Sequence, residues 1–245
     1  MTIVEVQNVS LSYPIYGANA RSFKHSMINL ATGGRLGKEG GGMLVEALKD
    51  VSFCLAKGDR LALIGHNGAG KSSLLKVLAD IYEPTQGKVR VKGQVNCLFD
   101  IMMGMEPDMS GYENIRLRAI ILGLSDQKIQ EIIPQIEDFA ELGDFMKMPI
   151  KSYSAGMKLR LAFGIITSVP SEILLIDEIV NVGDAGFVEK AKARMKSLVY
   201  QSDVMVLSTH DISMVREFCN KALWLEQGKI KAFDEIENVL KIYTA

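Results

Sequence analysis

The chain has 245 residues, 48% of them hydrophobic and 23% charged, with a formal net charge of −1. That is enough chain to bury a proper core, and the charge balance provides no broad basic field to draw it to nucleic acid or an anionic membrane. Cys54, Cys97 and Cys219 are scattered without metal-ligand spacing, the pattern of reduced thiols in a cytosolic protein. No stretch reaches the ~18 apolar residues of a membrane span, and the N-terminus reads as a strand rather than a signal peptide. Work at a membrane would require another chain to cross it.

In chain order, Ile3–Ser10 alternates polar and apolar residues and predicts a strand within the first twelve residues. Regular structure is expected to lapse between about Pro14 and Leu44. Within that stretch Phe23, Met27, Leu30 and Ala31 fall at helical spacing, and Gly33–Gly42 has six glycines in ten residues, which predicts a mobile loop. A β-rich stretch resumes at Ala47. Arg60–Ile64 reads as a buried parallel strand and Ser72–Ala79 as a helix. Between them lies Gly65-His66-Asn67-Gly68-Ala69-Gly70-Lys71-Ser72, the G-x-x-x-x-G-K-[ST] loop that turns backbone N–H groups onto nucleotide phosphates. Lys71 supplies a charge for the β- and γ-phosphates, Ser72 a hydroxyl for Mg²⁺, and the helix N-terminus its dipole. Ser73 completes the ATP-binding set. Strand, glycine loop and helix are the context the motif requires.

From Ser110 to about Gly143 the apolar period becomes helical, through Ile115, Leu117, Ile120, Ile121 and Leu124 and then Ile129, Ile132, Ile133, Ile136 and Phe139. Ser154 is a good N-cap for the next helix. Strands at Ile173–Asp177, Val204–Ser208 and Ala222–Leu225 then alternate with helices at Gly186–Tyr200 and Ile212–Phe218, the pattern of a parallel sheet covered on both faces. Asp234–Tyr243 reads as a final amphipathic helix. Asp177 closes an apolar strand, at the end where α/β sheets hold their ligands, and is placed to hold a Mg²⁺-bound water beside Ser72. Glu178, one residue on, occupies the position of a base that orients water onto the γ-phosphate.

Tyr153-Ser154-Ala155-Gly156-Met157, between the phosphate loop and the Asp-Glu strand, resembles the Leu-Ser-Gly-Gly-Gln signature of ATP-binding cassette (ABC) ATPases. The resemblance covers nearly the whole chain. It implies an α/β P-loop ATPase domain over residues 1–245, with a parallel-sheet core, an antiparallel β subdomain, an insertion at about 14–44 and a helical subdomain at about 101–168. It further implies that Ser154, Ala155, Gly156 and Met157 contact the ATP of a second subunit, that His210 is the switch histidine, that Asp184 lies in an inter-subunit loop and that Tyr13 stacks on adenine. Asp177-Glu-Ile-Val-Asn-Val-Gly-Asp-Ala-Gly-Phe187 and Pro107-Asp-Met-Ser-Gly-Tyr-Glu-Asn-Ile115 resemble runs of the subfamily that exports lipid-linked polysaccharides such as O-antigen and capsule. Where that subfamily has Glu as its Mg²⁺-sensing residue, this chain has Asp100, with a shorter arm. The chain stops at Ala245, so the β-sandwich sugar-binding domain of some relatives is expected to be lacking.

The expected function follows: an ATP- and Mg²⁺-dependent ATPase, working as a homodimer with two copies of a membrane permease at the cytoplasmic face of the bacterial inner membrane, with no nucleic-acid partner. Alternatives are an ABC subunit for another transported substrate, or a soluble ABC ATPase of translation or DNA repair. One cassette, no heptads and a net charge of −1 count against the soluble class. Two features keep two readings each. Met102, Met103, Met105 and Met109 either receive a permease helix or fill a core gap. Arg21, Phe23, Lys24, His25, Met27, Leu30, Arg35 and Lys38 either meet an anionic lipid headgroup or form a solvated loop.

Overall fold

The computed structural model describes residues 2–15, 36–39, 42–99, 101–169, 171–177 and 185–244. It separates into two compact units: Met1–Cys97, Glu172–Glu178 and Asp203–Ala245 form one, and Leu98–Ser171 with Ile179–Ser202 the other.

The first unit holds two sheets. In the four-stranded sheet, β1 (Thr2–Ile15) lies between β3 (Gly42–Ala56) and β5 (Gln86–Val91), antiparallel to both, with β2 (Leu36–Glu39) on the far edge of β3. The buried residues of β1 are Val4, Val6, Val9 and Leu11, so the inward face changes parity between Val6 and Val9. A bulge causes the change: the pairing with β3 shifts register there, and Asn8 adopts φ +48° with its amide on Asp50 Oδ1 at 2.8 Å. The strand β2 corrects one expectation. Part of the glycine-rich stretch read as a mobile loop is an antiparallel pair, with Leu36 opposite Val45 and Glu39 opposite Gly42.

The six-stranded sheet runs β10-β9-β4-β8-β7-β6. Its centre, β4 (Arg60–Ile64), pairs in parallel with β8 (Val204–Ser208) and β9 (Lys221–Glu226), and β7 (Ile173–Asp177) pairs in parallel with β8. Leu61 to Ile64, Ile173 to Ile176 and Val204 to Leu207 are all buried, as strands covered on both faces must be. Helix α1 (Lys71–Leu78) buries Leu74, Leu75, Val77 and Leu78; each such side chain contributes about 1.5–3 kcal/mol when fully removed from water. β6 (Val95–Leu98) and β10 (Lys229–Glu235) are the edges. Asp234 and Glu235, read as the start of the last helix, pair instead with Ala222 and Lys221. The ladder takes them, and α7 begins at Ile236.

In the second unit, serine caps start three helices. Ser110 makes a full capping box with Glu113 at α2 (Gly111–Ile121). Ser125 caps α3 (Asp126–Ala140), and Ser154 caps α4 (Ala155–Thr167). Ile115, Ile129, Ile132, Ile136, Leu161 and Ile165 form the shared core. The buried amide of Asn114 donates to the carbonyls of Glu106, Met109 and Ser110 at 3.0, 3.1 and 2.9 Å and accepts from Glu106 N–H at 2.7 Å, fixing the loop ahead of α2. The methionines divide: Met105 packs against this core, whereas Met102, Met103 and Met109 are exposed. α5 (Ala185–Gln201) adds Phe187, whose ring meets Phe139 and Phe163 at centroid distances of 5.4 and 6.2 Å. The remaining helix, α6 (Ile212–Phe218), belongs to the first unit.

All three cysteines are free thiols. Burial pushes Cys97 up to about 11 and Cys219 up to about 12, so neither is a thiolate near neutrality.

Candidate nucleotide site

Strand register builds the site. Ser208 at the end of β8 lies opposite both Leu63 of β4 and Asp177 of β7. Three chain segments therefore leave the sheet at one carboxyl edge: the Gly65–Lys71 loop, Asp177, and Thr209-His210. This is where open α/β sheets bind ligands.

The loop's glycines are required by the surrounding backbone. Gly65 has φ +139°, and a Cβ there would lie 2.2 Å from the Leu225 carbonyl oxygen; Gly70 has φ +112°, with the Ala47 oxygen 2.7 Å from such an atom. A Gly65→Ala variant should lose about 2–5 kcal/mol of stability through strain and overlap, together with nucleotide binding. Urea melts and nucleotide titration check this, and a wild-type melt would mean that the loop relaxes freely.

The amine of Lys71 is buried inside the loop, donating to the Gly65 carbonyl at 2.6 Å and the His66 carbonyl at 3.2 Å. His210 reaches the same loop, its Nε2 3.0 Å from Asn67 Oδ1 and 3.5 Å from Lys71 Nζ. One ring nitrogen cannot donate to the amide oxygen and also accept from the ammonium. The shorter contact makes Nε2 a donor to Asn67, leaving Lys71 beside the ring rather than bonded to it. Ser72 is exposed at the start of α1, Ser73 is half-buried, and Gly68 and Ala69 complete the loop.

Asp177 is half-buried at its strand end. Glu178, Asp184 and Asp100 lie outside the described residues, as do Arg21, Phe23, Lys24, His25, Met27, Leu30 and Arg35 of the insertion. Tyr13, 40% exposed on β1, has its ring 6.3 Å from that of Tyr82, tilted by 42°. In the second unit, Ser154 and Ala155 are exposed and Met157 half-buried; the Ser154 hydroxyl accepts from Met157 N–H at 3.2 Å. A Cβ on Gly156 would meet only Ser154 Oγ, at 4.0 Å, so nothing in the chain itself demands glycine there.

Sequence reasoning missed two supports. One is Tyr82 beside Tyr13, with the Lys76 amine 5.3 Å above its ring; no pattern in the sequence singles it out. The other is the β9–β10 turn. Gly228 donates its N–H to Ala69 O at 2.9 Å and accepts from Lys49 N–H at 2.9 Å, bracing the phosphate loop against β3. The Gln227-Gly228 pair, with φ +47° and +77°, was its visible turn signal. At the same turn Glu226 is held below the ordinary carboxylate range by its hydrogen bond to Lys231, with a lesser contribution from His66.

The ABC transporter family model matches residues 48–181, more than half of the chain. The chain belongs to the ABC transporter ATP-binding family. It is 44% identical to the O-antigen export system ATP-binding protein RfbE of Yersinia enterocolitica, over 98% of this chain and 100% of that protein. It is 35% identical to the teichoic acids export ATP-binding protein TagH of Bacillus cereus, over 99% of this chain but 42% of that protein's length. Among solved structures, the dimeric post-hydrolysis state of the ATP-binding cassette MJ0796 bound to ADP and Pi matches with a TM-score of 0.70 at 21% identity, covering 95% of this chain and 98% of that one. The ABC ATPase fold is thus shared. Among the described residues no helix is long and apolar enough to cross a membrane.

Proposed function

We propose that this ABC ATPase drives the export of a lipid-linked polysaccharide of the O-antigen class. The observation that carries the proposal is the 44% identity, end to end, with an O-antigen export ATP-binding protein. In this reading residues 1–245 are one ATP-binding domain, with the insertion at about 14–44 and the helical subdomain at about 101–168.

ATP binds through Gly65 to Ser73, with Tyr13 against the base. Ser72 and Asp177 offer a hydroxyl and a single carboxylate, hard oxygen donors of the kind Mg²⁺ takes alongside phosphates; Asp100 is a third donor in sequence. Glu178 is the base. Ser154 to Met157 and Asp184 act across a homodimer, and His210 reports on the γ-phosphate. Closure on ATP moves two copies of a membrane permease, and hydrolysis resets them. The ATPase itself sits peripherally at the cytoplasmic face of the inner membrane. Exposed Met102, Met103 and Met109 suit a permease helix that must be gripped without a rigid fit.

A teichoic-acid-type polymer is the second reading, supported by the 35% identity to TagH. One experiment separates them. The protein, purified with its encoded permease in lipid vesicles, should show ATPase activity raised severalfold by a lipid-linked O-antigen-type glycan, and less by a lipid-linked polyol phosphate. The reverse order supports the teichoic-acid reading, and indifference to both overturns polysaccharide export while leaving the ATPase intact.

A further inference from the structure

The second unit contains a cavity of about 180 Å³ where the end of α4 meets α3 and α5. Its polar lining includes Arg194, Lys128, Thr167, Ser168, Ser197 and Gln135, and no carboxylate residue lines it. The two cations differ. Lys128 is neutralised by Glu131, 2.9 Å away. Arg194 makes no ion pair among the described residues. It donates to Ser168 Oγ at 3.0 Å and lies with its guanidinium 6.0 Å from the Phe139 ring centroid. Its Nε is buried and has no acceptor. Burial also pulls the guanidinium below the ordinary arginine value.

A buried N–H on a cation, left without an acceptor, costs about 1–3 kcal/mol or more, so the site favours an occupant that supplies one. The geometry limits what that occupant is. The cavity is smaller than the ~300–1,000 Å³ pockets that hold drug-sized ligands, which excludes a nucleotide. The unpaired charge selects an anion. Hydroxyls remain available as donors: Ser197 accepts from Gln201 Nε2 at 3.1 Å and so keeps its own proton to give. A guanidinium fork beside hydroxyl donors fits a tetrahedral oxyanion better than a halide.

We propose that this cavity binds a small oxyanion, phosphate in particular, with Arg194 as its principal partner and Ser197 and Lys128 as further donors. Free phosphate and the terminal phosphate of a small phosphomonoester present the same chemistry to it. Neither depends on the export reading above.

The test uses the full chain carrying Lys71→Ala, which disables the phosphate loop as a competing site. Inorganic phosphate is titrated at constant ionic strength, with calorimetry and the thermal midpoint as readouts. A single saturable site is expected, with a midpoint that rises with phosphate as ligand linkage requires. Ser197→Asp, at an exposed helix position, sets a carboxylate beside Arg194 without disturbing its packing. It should weaken phosphate at least ~tenfold, the value of one charged hydrogen bond, while leaving the phosphate-free midpoint equal or higher. Saturation by phosphate but not methyl phosphate identifies the free ion; saturation by both identifies a phosphomonoester. The absence of a saturable isotherm, an isotherm unchanged by Ser197→Asp, or an equal response to chloride overturns the proposal.

Discussion

Glu178→Gln should bind ATP with near wild-type affinity and hydrolyse it about 10²–10⁴-fold more slowly, the usual cost of losing a positioned base. Asp177 ends β7 directly opposite Ser208, at the edge where the Lys71 loop and His210 converge. The next residue in the chain leaves the sheet at that edge, past the metal carboxylate. An amide at 178 keeps the size and polarity of the side chain but takes no proton from water. Binding and chemistry should therefore separate, and ATP should accumulate a long-lived dimer visible by size exclusion. Single-turnover hydrolysis measures the effect directly. A wild-type rate would remove Glu178 from its role and leave Asp177 and His210 as the nearest candidates.

Gly156→Ala should fold as well as the parent and fail as an ATPase. Glycine within a helix costs up to about 1 kcal/mol relative to alanine, and here the added methyl would touch only Ser154 Oγ at 4.0 Å. By its own packing the chain would be equal or better off with alanine. A glycine kept where the chain does not need it makes sense if something outside the chain approaches the backbone at the start of α4. A phosphate held by a second subunit, at a capped helix N-terminus, is such a visitor. Displacing it by even an ångström should cost roughly 10²-fold in turnover. Urea melts and steady-state hydrolysis on the same preparation decide the matter. Normal melts with normal turnover would end the trans-acting assignment.

Features encoded locally were legible in the sequence. The apolar runs Leu61–Ile64, Ile173–Ile176 and Val204–Leu207 announce strands buried on both faces, and the observed β4, β7 and β8 carry the bounds read from them. The phosphate loop is legible because its glycines and lysine are contiguous. What escaped depends on distant partners. The bulge at Asn8 exists because Asp50 and Ser52, more than forty residues on, hold its amide and N–H. Asp234 and Glu235 have no apolar alternation to mark them as strand, yet β9 supplies the ladder that makes them one. Leu36–Glu39 became a strand because β3 offered an edge, which glycine content alone does not reveal. Within the site, His210 could be assigned by resemblance, but its bond to Asn67 and the brace from Gly228 arise only when the β8 and β9 segments close on the loop.

The central position of β4 also governs how the protein is made. Arg60 pairs with Met205, 145 residues later in the chain. At synthesis rates of about 5–20 residues per second, the strand that carries the phosphate loop waits roughly 7–30 s for that neighbour to leave the ribosome. Throughout that interval an apolar strand with two unpaired edges is present on the nascent chain, beside a helical segment whose own partners along Leu98–Ser171 have already emerged. A holding chaperone should therefore engage nascent chains ending between β4 and β8 and release them once β8 and β9 are complete, so stalling translation just short of Val204 would yield the most aggregation-prone fragment.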